Sequence, residues 1–94
     1  MYYYLDVFVN IPIMAISSKN KQDLEVSKFL KKVGLRIRLI REKRGLTLER
    51  VEELGYPSWR HLQRVEAGSP STMTTLFRIA KVLRVSPEEI LKGL

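Results

Sequence analysis

Thr47-Leu48-Glu49-Arg50-Val51-Glu52-Glu53-Leu54-Gly55-Tyr56-Pro57-Ser58-Trp59-Arg60-His61-Leu62-Gln63-Arg64-Val65-Glu66-Ala67-Gly68 reads as two short helices separated by a Gly-Tyr-Pro break. Thr47 can accept hydrogen bonds from the N–H groups that open the first helix, Glu49 sits where the helix dipole favours an anion, and Gly55 can supply a left-handed stop. Ser58 is placed to cap the second helix. There Leu62 and Val65 face inward, which leaves Trp59, Arg60, His61, Gln63 and Arg64 to point elsewhere. Those side chains are of the kinds that hydrogen-bond, stack on or neutralise nucleic acid.

The rest of the composition bounds this reading. With 94 residues, 45% of them hydrophobic, the chain is the length of one domain and can bury a modest core without metals or disulfides. It has no cysteine, which removes disulfides, thiolate metal sites and a cysteine nucleophile, and fits a reducing cytoplasm, the expected location. A single histidine leaves no imidazole cluster, so neither a metal nor a cofactor is expected. The net charge of +7 and pI near 10.0 attract polyanions, because each phosphate neutralised by Lys or Arg releases condensed counterions. Bases crowd the span from Lys19 to Arg50, where the acids are Asp23, Glu25, Glu42 and Glu49. On charge alone this is a solvated face that keeps a small domain soluble. Followed by two short helices around a break, it becomes the outline of a helix-turn-helix reader of DNA.

From 23 to 44, Val26, Leu30, Val33, Ile37 and Ile40 recur at helical spacing with Lys and Arg on the other faces. Gly34 interrupts this face, so the segment is either one bent helix or two, and Gly45 is placed to end it. Further on, Thr72 is a reasonable cap for a helix from about Met73 to Leu83, with Leu76, Ile79, Ala80 and Leu83 on one face and Phe77 widening it. Ser86-Pro87-Glu88-Glu89 is the clearest start signal: a Ser cap, Pro at the first helical position, and Glu89 placed for a capping box ahead of Ile90 and Leu91.

Residues 1–16 differ from all of this, being aromatic and β-branched with almost no charge, which favours an extended strand. Asp6, Asn10 and Pro12 break the stretch well short of the roughly 20 apolar residues a membrane span needs, and it lacks the basic start of a signal peptide. The expected organisation is an apolar arm or leader over 1–18 and a DNA-binding domain over 19–94. The leader is an arm that packs on a partner subunit, a disordered extension, or residues upstream of a native start at Met14.

Three blocks in order, Arg36-Ile37-Arg38-Leu39-Ile40-Arg41-Glu42-Lys43-Arg44-Gly45-Leu46-Thr47, Val65-Glu66-Ala67-Gly68 and Leu76-Phe77-Arg78-Ile79-Ala80-Lys81-Val82-Leu83-Arg84-Val85-Ser86-Pro87-Glu88-Glu89-Ile90-Leu91, resemble the lambda-repressor-like, Cro and xenobiotic-response-element family of transcriptional regulators. The resemblance covers residues 35 to about 92. It implies an all-α fold of five helices, with the second and third forming the helix-turn-helix and the third laid in the major groove of double-stranded DNA, and a homodimer on a palindromic operator. Carried over by position, it puts base-reading sites on Trp59, Arg60 and Arg64, with Ser58 and His61 beside them. Backbone contacts are expected from Arg50, Gln63 and Lys43, Gln63 being otherwise simply solvated. Arg60 or Arg64 would suit guanine, whose O6 and N7 match a guanidinium fork. Trp59 would offer an apolar surface to a thymine methyl or sugar, or else lie half-buried against its neighbours. Arg41 and Glu66 stand where the family often has a buried ion pair joining the first and third helices.

Two positions depart from the family pattern. Leu48 stands where a glutamine commonly contacts phosphate, and Glu52 where a small alanine lets the two helices close. Gly55 also comes one position early, with Tyr56-Pro57 filling the gap. The expected function is a sequence-specific transcriptional regulator, a repressor or controller protein. The alternative is an antitoxin that binds a partner toxin protein as well as its own operator, with the apolar leader as contact surface. Peripheral membrane binding through bases and an aromatic N-terminus ranks behind both. Catalysis is not expected: Ser58 and His61 are three apart with no acid placed to orient the imidazole.

Overall fold

The computed structural model describes residues 13–94, with side chains from Asn20 onward. They hold five helices and no strand: α1 (Ile13–Lys43), α2 (Leu48–Glu53), α3 (Trp59–Glu66), α4 (Met73–Leu83) and α5 (Pro87–Leu91). The fully buried side chains Ile37, Val51, Leu62, Ile79, Leu83 and Ile90 come from all five, so each helix is held by burying at least one large apolar group. Each such burial is worth about 1.5–3 kcal/mol. Ile90, the anchor of α5, therefore faces the core, and Leu94 is the exposed apolar residue at that end.

Of the two alternatives for the first segment, the structure has one continuous helix of 31 residues, roughly 46 Å long at 1.5 Å per residue. Gly34 does not break it because the end of α3 rests on that glycine. A Cβ there would collide with the backbone carbonyl oxygens of Glu66 and Val65.

The apolar periodicity of α1 outruns the core. All side chains from 20 to 29 are exposed, Leu30 is half-buried and Val33 is the first buried one, so Val26 lies on solvent despite its helical register with Val33. The other helices have only 5 to 11 residues and cannot cover so long a rod. Phe77 is likewise 53% exposed instead of widening the core face of α4, and Lys81 Nζ lies 5.8 Å from its ring centroid.

The N-terminal expectation is corrected in part. Residues 13–16, read as the end of an extended stretch, are the opening of α1. Met14 and Ala15 are good helix formers, and Pro12 immediately ahead of a helix start carries no penalty there. The bulk of the expected arm, residues 1–12, lies outside the described residues.

Local start signals explain the remaining boundaries. Thr47 Oγ1 accepts from the Arg50 N–H at 3.0 Å, Ser58 Oγ from the His61 N–H at 3.3 Å and Thr72 Oγ1 from the Thr75 N–H at 3.1 Å. Gly45 at φ +72° and Gly55 at φ +121° follow α1 and α2 in left-handed backbone, which glycine adopts without the Cβ penalty. The capping box at α5 does not form: Ser86 makes no side-chain cap, and the Glu89 N–H goes to the Ser86 carbonyl at 3.0 Å. Glu52 is exposed, so its size does not keep α2 from α3; Val51 makes the buried contact.

Arg41 and Glu66 meet in a forked pair, Nε to Oε2 at 2.7 Å and Nη2 to Oε1 at 3.0 Å, while Nη1 donates to the Leu46 carbonyl at 2.8 Å. Their side chains are 9% and 6% exposed. Hydrogen bonding of the Arg41 guanidinium to the Glu66 carboxylate raises the Arg41 pKa above its ordinary value, outweighing the opposing effect of burial. Removing one partner strands the other charge away from water. Glu66→Ala should therefore lower the unfolding free energy by about 3–5 kcal/mol, read by denaturant unfolding. A midpoint equal to the parent's would contradict a structural role for the pair.

Candidate nucleic-acid interface

Eight residues make up α3, and at 3.6 per turn they sort onto distinct faces. Leu62 and Val65 are buried. Glu66 turns to one flank, toward Arg41. Arg60, Gln63 and Arg64 are exposed on the side opposite the core, and Trp59 and His61 are half-buried between. The amphipathicity that docks the helix thus also lines up its polar residues outward.

Each expected reading position has a definite place. Ser58 is half-buried with its hydroxyl committed to the cap, so it sets the start of α3. Trp59 lies under Arg60, whose Cζ is 5.2 Å from the indole centroid; the two form a stacked unit at the helix start. His61 Nδ1 lies 2.7 Å from the Tyr56 hydroxyl. Neither Arg60 nor Arg64 forms an ion pair among the described residues, so two guanidinium groups one turn apart stand unneutralised.

The expected backbone contacts are more dispersed. Arg50 is exposed on α2 and donates to Glu53 at 2.9 Å. Gln63 shares a concavity with Arg38, Leu48 and the Arg41–Glu66 pair. Lys43 lines a different one, with Ile40, Arg44, Val85 and Glu89, on the α5 side. Two residues at this site, one exposed and one buried, are not singled out by sequence. Arg38 sits beside Gln63 and pairs with Glu42 at 3.0 Å; its place three residues before Arg41 is the signal that could have found it. Tyr56, which in sequence merely fills a shifted turn, is 4% exposed, and a buried phenol needs a hydrogen-bond partner.

The sequence that builds this short capped helix, with its arginine-bearing outer face braced against two others, matches a family model described as helix-turn-helix over residues 37–90. The chain belongs to the helix-turn-helix family of Cro and lambda-repressor type. No curated protein and no solved structure gives a significant match. The protein is thus a DNA-binding transcriptional regulator, from a family of regulators and not of enzymes. Among the described residues no helix of the regulator is long and apolar enough to cross a membrane, and no acidic or histidine cluster of metal-binding form occurs.

The cap assigned to Ser58 is separable from a contact to DNA. Ser58→Ala should reduce the stability of the free regulator by about 0.5–2 kcal/mol, and Ser58→Asp should restore it. Chemical denaturation without DNA decides this, and a parent-like Ser58→Ala would mean that the hydroxyl is not a working cap.

Proposed function

We propose that the regulator is a repressor or controller protein that reads a palindromic operator as a homodimer, with α3 in the major groove of each half-site. The observation that carries this reading is the outer face of α3, where Arg60, Gln63 and Arg64 are exposed while its back is fixed by Leu62, Val65 and the forked pair. Arg60 and Arg64 are the base readers, each able to take guanine O6 and N7 as a bidentate pair. Trp59 gives them an apolar neighbour suited to a thymine methyl, and Ser58 sets the helix start against the DNA.

Phosphates are held by Arg50 and Gln63, with Lys43 toward the edge, and by Arg38, which stands beside Leu48 and supplies the charge that an apolar side chain cannot. The ion pairs Arg50–Glu53 and Arg38–Glu42 do not oppose this, because even the least exposed of the four side chains, Glu42, is 48% exposed. Pairs so exposed are worth well under about 1 kcal/mol each, so a phosphate can take either guanidinium. A second copy is needed because half-sites of a palindrome recur at about 34 Å along the duplex. Exposed Leu35, Leu39 and Leu94 are surfaces on which it can be built. Bound in this way, the dimer represses by occupying its operator.

Two measurements test the reading. Affinity for a duplex selected from a random pool should fall linearly with salt on logarithmic axes, with a slope of about 0.9 per phosphate contacted; salt-independent binding would defeat the electrostatic part. Arg60→Ala and Arg64→Ala should each cost about 1–3 kcal/mol on the selected site and little on random DNA. Equal losses on both would make that arginine a phosphate contact, and a selected site without inverted symmetry would remove the dimer.

A further inference from the structure

The Tyr56 hydroxyl and His61 Nδ1 are 2.7 Å apart, their rings stacked at 22° with centroids 5.9 Å apart. His61 also has its backbone N–H on the Ser58 hydroxyl. Main chain and ring are thus both held, on a helix whose neighbouring positions face outward. We infer that Tyr56 fixes the tautomer of His61, occupying Nδ1 and leaving Nε2–H as the free edge, so that His61 meets DNA as a donor that selects hydrogen-bond acceptors. The inference deepens the proposed function and rests on α3 lying against the duplex.

The direction of the bond follows from the surroundings of Tyr56. Its ring is buried, and among the described residues its hydroxyl has no hydrogen-bond partner besides His61. Were Nδ1 to carry the proton and donate, the phenolic hydrogen would be left buried without an acceptor, a costly arrangement. With the phenol donating, both groups are satisfied. Burial holds the Tyr56 hydroxyl above the ordinary tyrosine range, the nearby positive charge of Arg78 pulling the other way by less, so the phenol keeps the proton it donates.

A neutral imidazole has one donor and one acceptor. With the acceptor taken by Tyr56, what remains is a donor on the opposite edge of the ring. In the major groove it fits guanine O6 or N7, adenine N7 or thymine O4, and is rejected by the amino groups of cytosine and adenine. An untethered histidine could present either nitrogen and would discriminate less. Tyr56 touches no base in this scheme; it is a positioning residue.

The test uses the full chain, in which His61 is the single histidine, so every imidazole signal of a 15N-labelled sample belongs to it. At about pH 8, where an ordinary imidazole is neutral, long-range proton–nitrogen correlation should show Nε2 protonated and Nδ1 shifted as a hydrogen-bond acceptor. In Tyr56→Phe, Nδ1 should move toward the free-imidazole position and the second tautomer should appear. A protonated Nδ1 in the parent, or an unchanged pattern in Tyr56→Phe, overturns the inference.

On DNA, Tyr56→Phe should reduce the preference for the selected site over random duplex by roughly three- to tenfold, the scale of one hydrogen bond. His61→Gln, which leaves the buried tyrosine in place and offers both an N–H and a carbonyl, should keep affinity and relax the choice at one base pair. Unaltered base preference in both variants, with Arg60→Ala and Arg64→Ala still impaired, overturns this inference alone. If the arginine variants also keep full preference, the reading of α3 fails and this inference falls with it.

Discussion

Every nitrogen of the Arg41 guanidinium is committed, Nε and Nη2 to Glu66 and Nη1 to the carbonyl of Leu46. Three separate pieces of chain, α1, the loop after it and the end of α3, thereby share one anchor. A buried charge loses several kcal/mol of solvation, which an opposite charge offsets only in good geometry with further hydrogen bonds. The fork meets those conditions, but its net contribution to stability need not exceed that of a well-packed apolar pair. What it adds is direction. A helix of eight residues is far too short to be stable by itself, and Leu62 and Val65 alone would tolerate some rotation about its axis. The fixed plane of the fork allows little, and the backbone contact at Gly34 sets how closely α1 and α3 approach.

With α3 so oriented, the proposed function gives attraction and recognition to different residues. The net charge of +7 resides largely on α1 and acts at a distance of about 10 Å at ordinary salt. It draws the regulator to any polyanion. In the proposed reading, discrimination among sequences falls to the few groups on the outer face of α3, because base edges are read only by directed hydrogen bonds and close apolar contacts. The acids reflect this division. Glu42 and Glu53 partner Arg38 and Arg50 on α1 and α2, and no acid pairs with the arginines of α3 among the described residues.

What was legible in the sequence was local. Thr47, Ser58 and Thr72 each accept from an N–H three residues on, a relation fixed by chain spacing, so the three helices they open start within a residue or so of their expected positions. Periodicity likewise marks the inward positions of α3 and most of α4. It cannot say where the core ends, which depends on how much the other helices cover; hence exposed Val26 and Phe77, and a first helix that starts earlier than its apolar face suggests. Arg41 and Glu66 lie 25 residues apart, and only the family resemblance suggests that they meet. The contact of Tyr56 with His61 is hidden because nothing in the Gly-Tyr-Pro break says that the phenol turns inward. The Ser86 motif shows the reverse failure: the local signal is correct, but the Ser86 carbonyl takes the Glu89 N–H in place of the side chain.

The two turns of α3 differ in how firmly their side chains are held. In the first, Ser58 is engaged in the cap, His61 is tied to Tyr56, and Arg60 rests on the Trp59 ring. A stacked arginine at a partly exposed site gains about 0.5–1 kcal/mol, against up to about 2 kcal/mol of rotamer entropy that an arginine loses when fully immobilised. Arg60 is thus partly ordered before any partner arrives. Gln63 and Arg64 in the second turn are exposed and make no side-chain hydrogen bond among the described residues, so they bear the full ordering cost on binding. If α3 is the reader proposed above, it meets the duplex with a firmly held leading edge and a pliable second turn. That asymmetry follows from the order of the residues: the capping serine and the buried tyrosine precede the helix, and their reach extends only through its first turn.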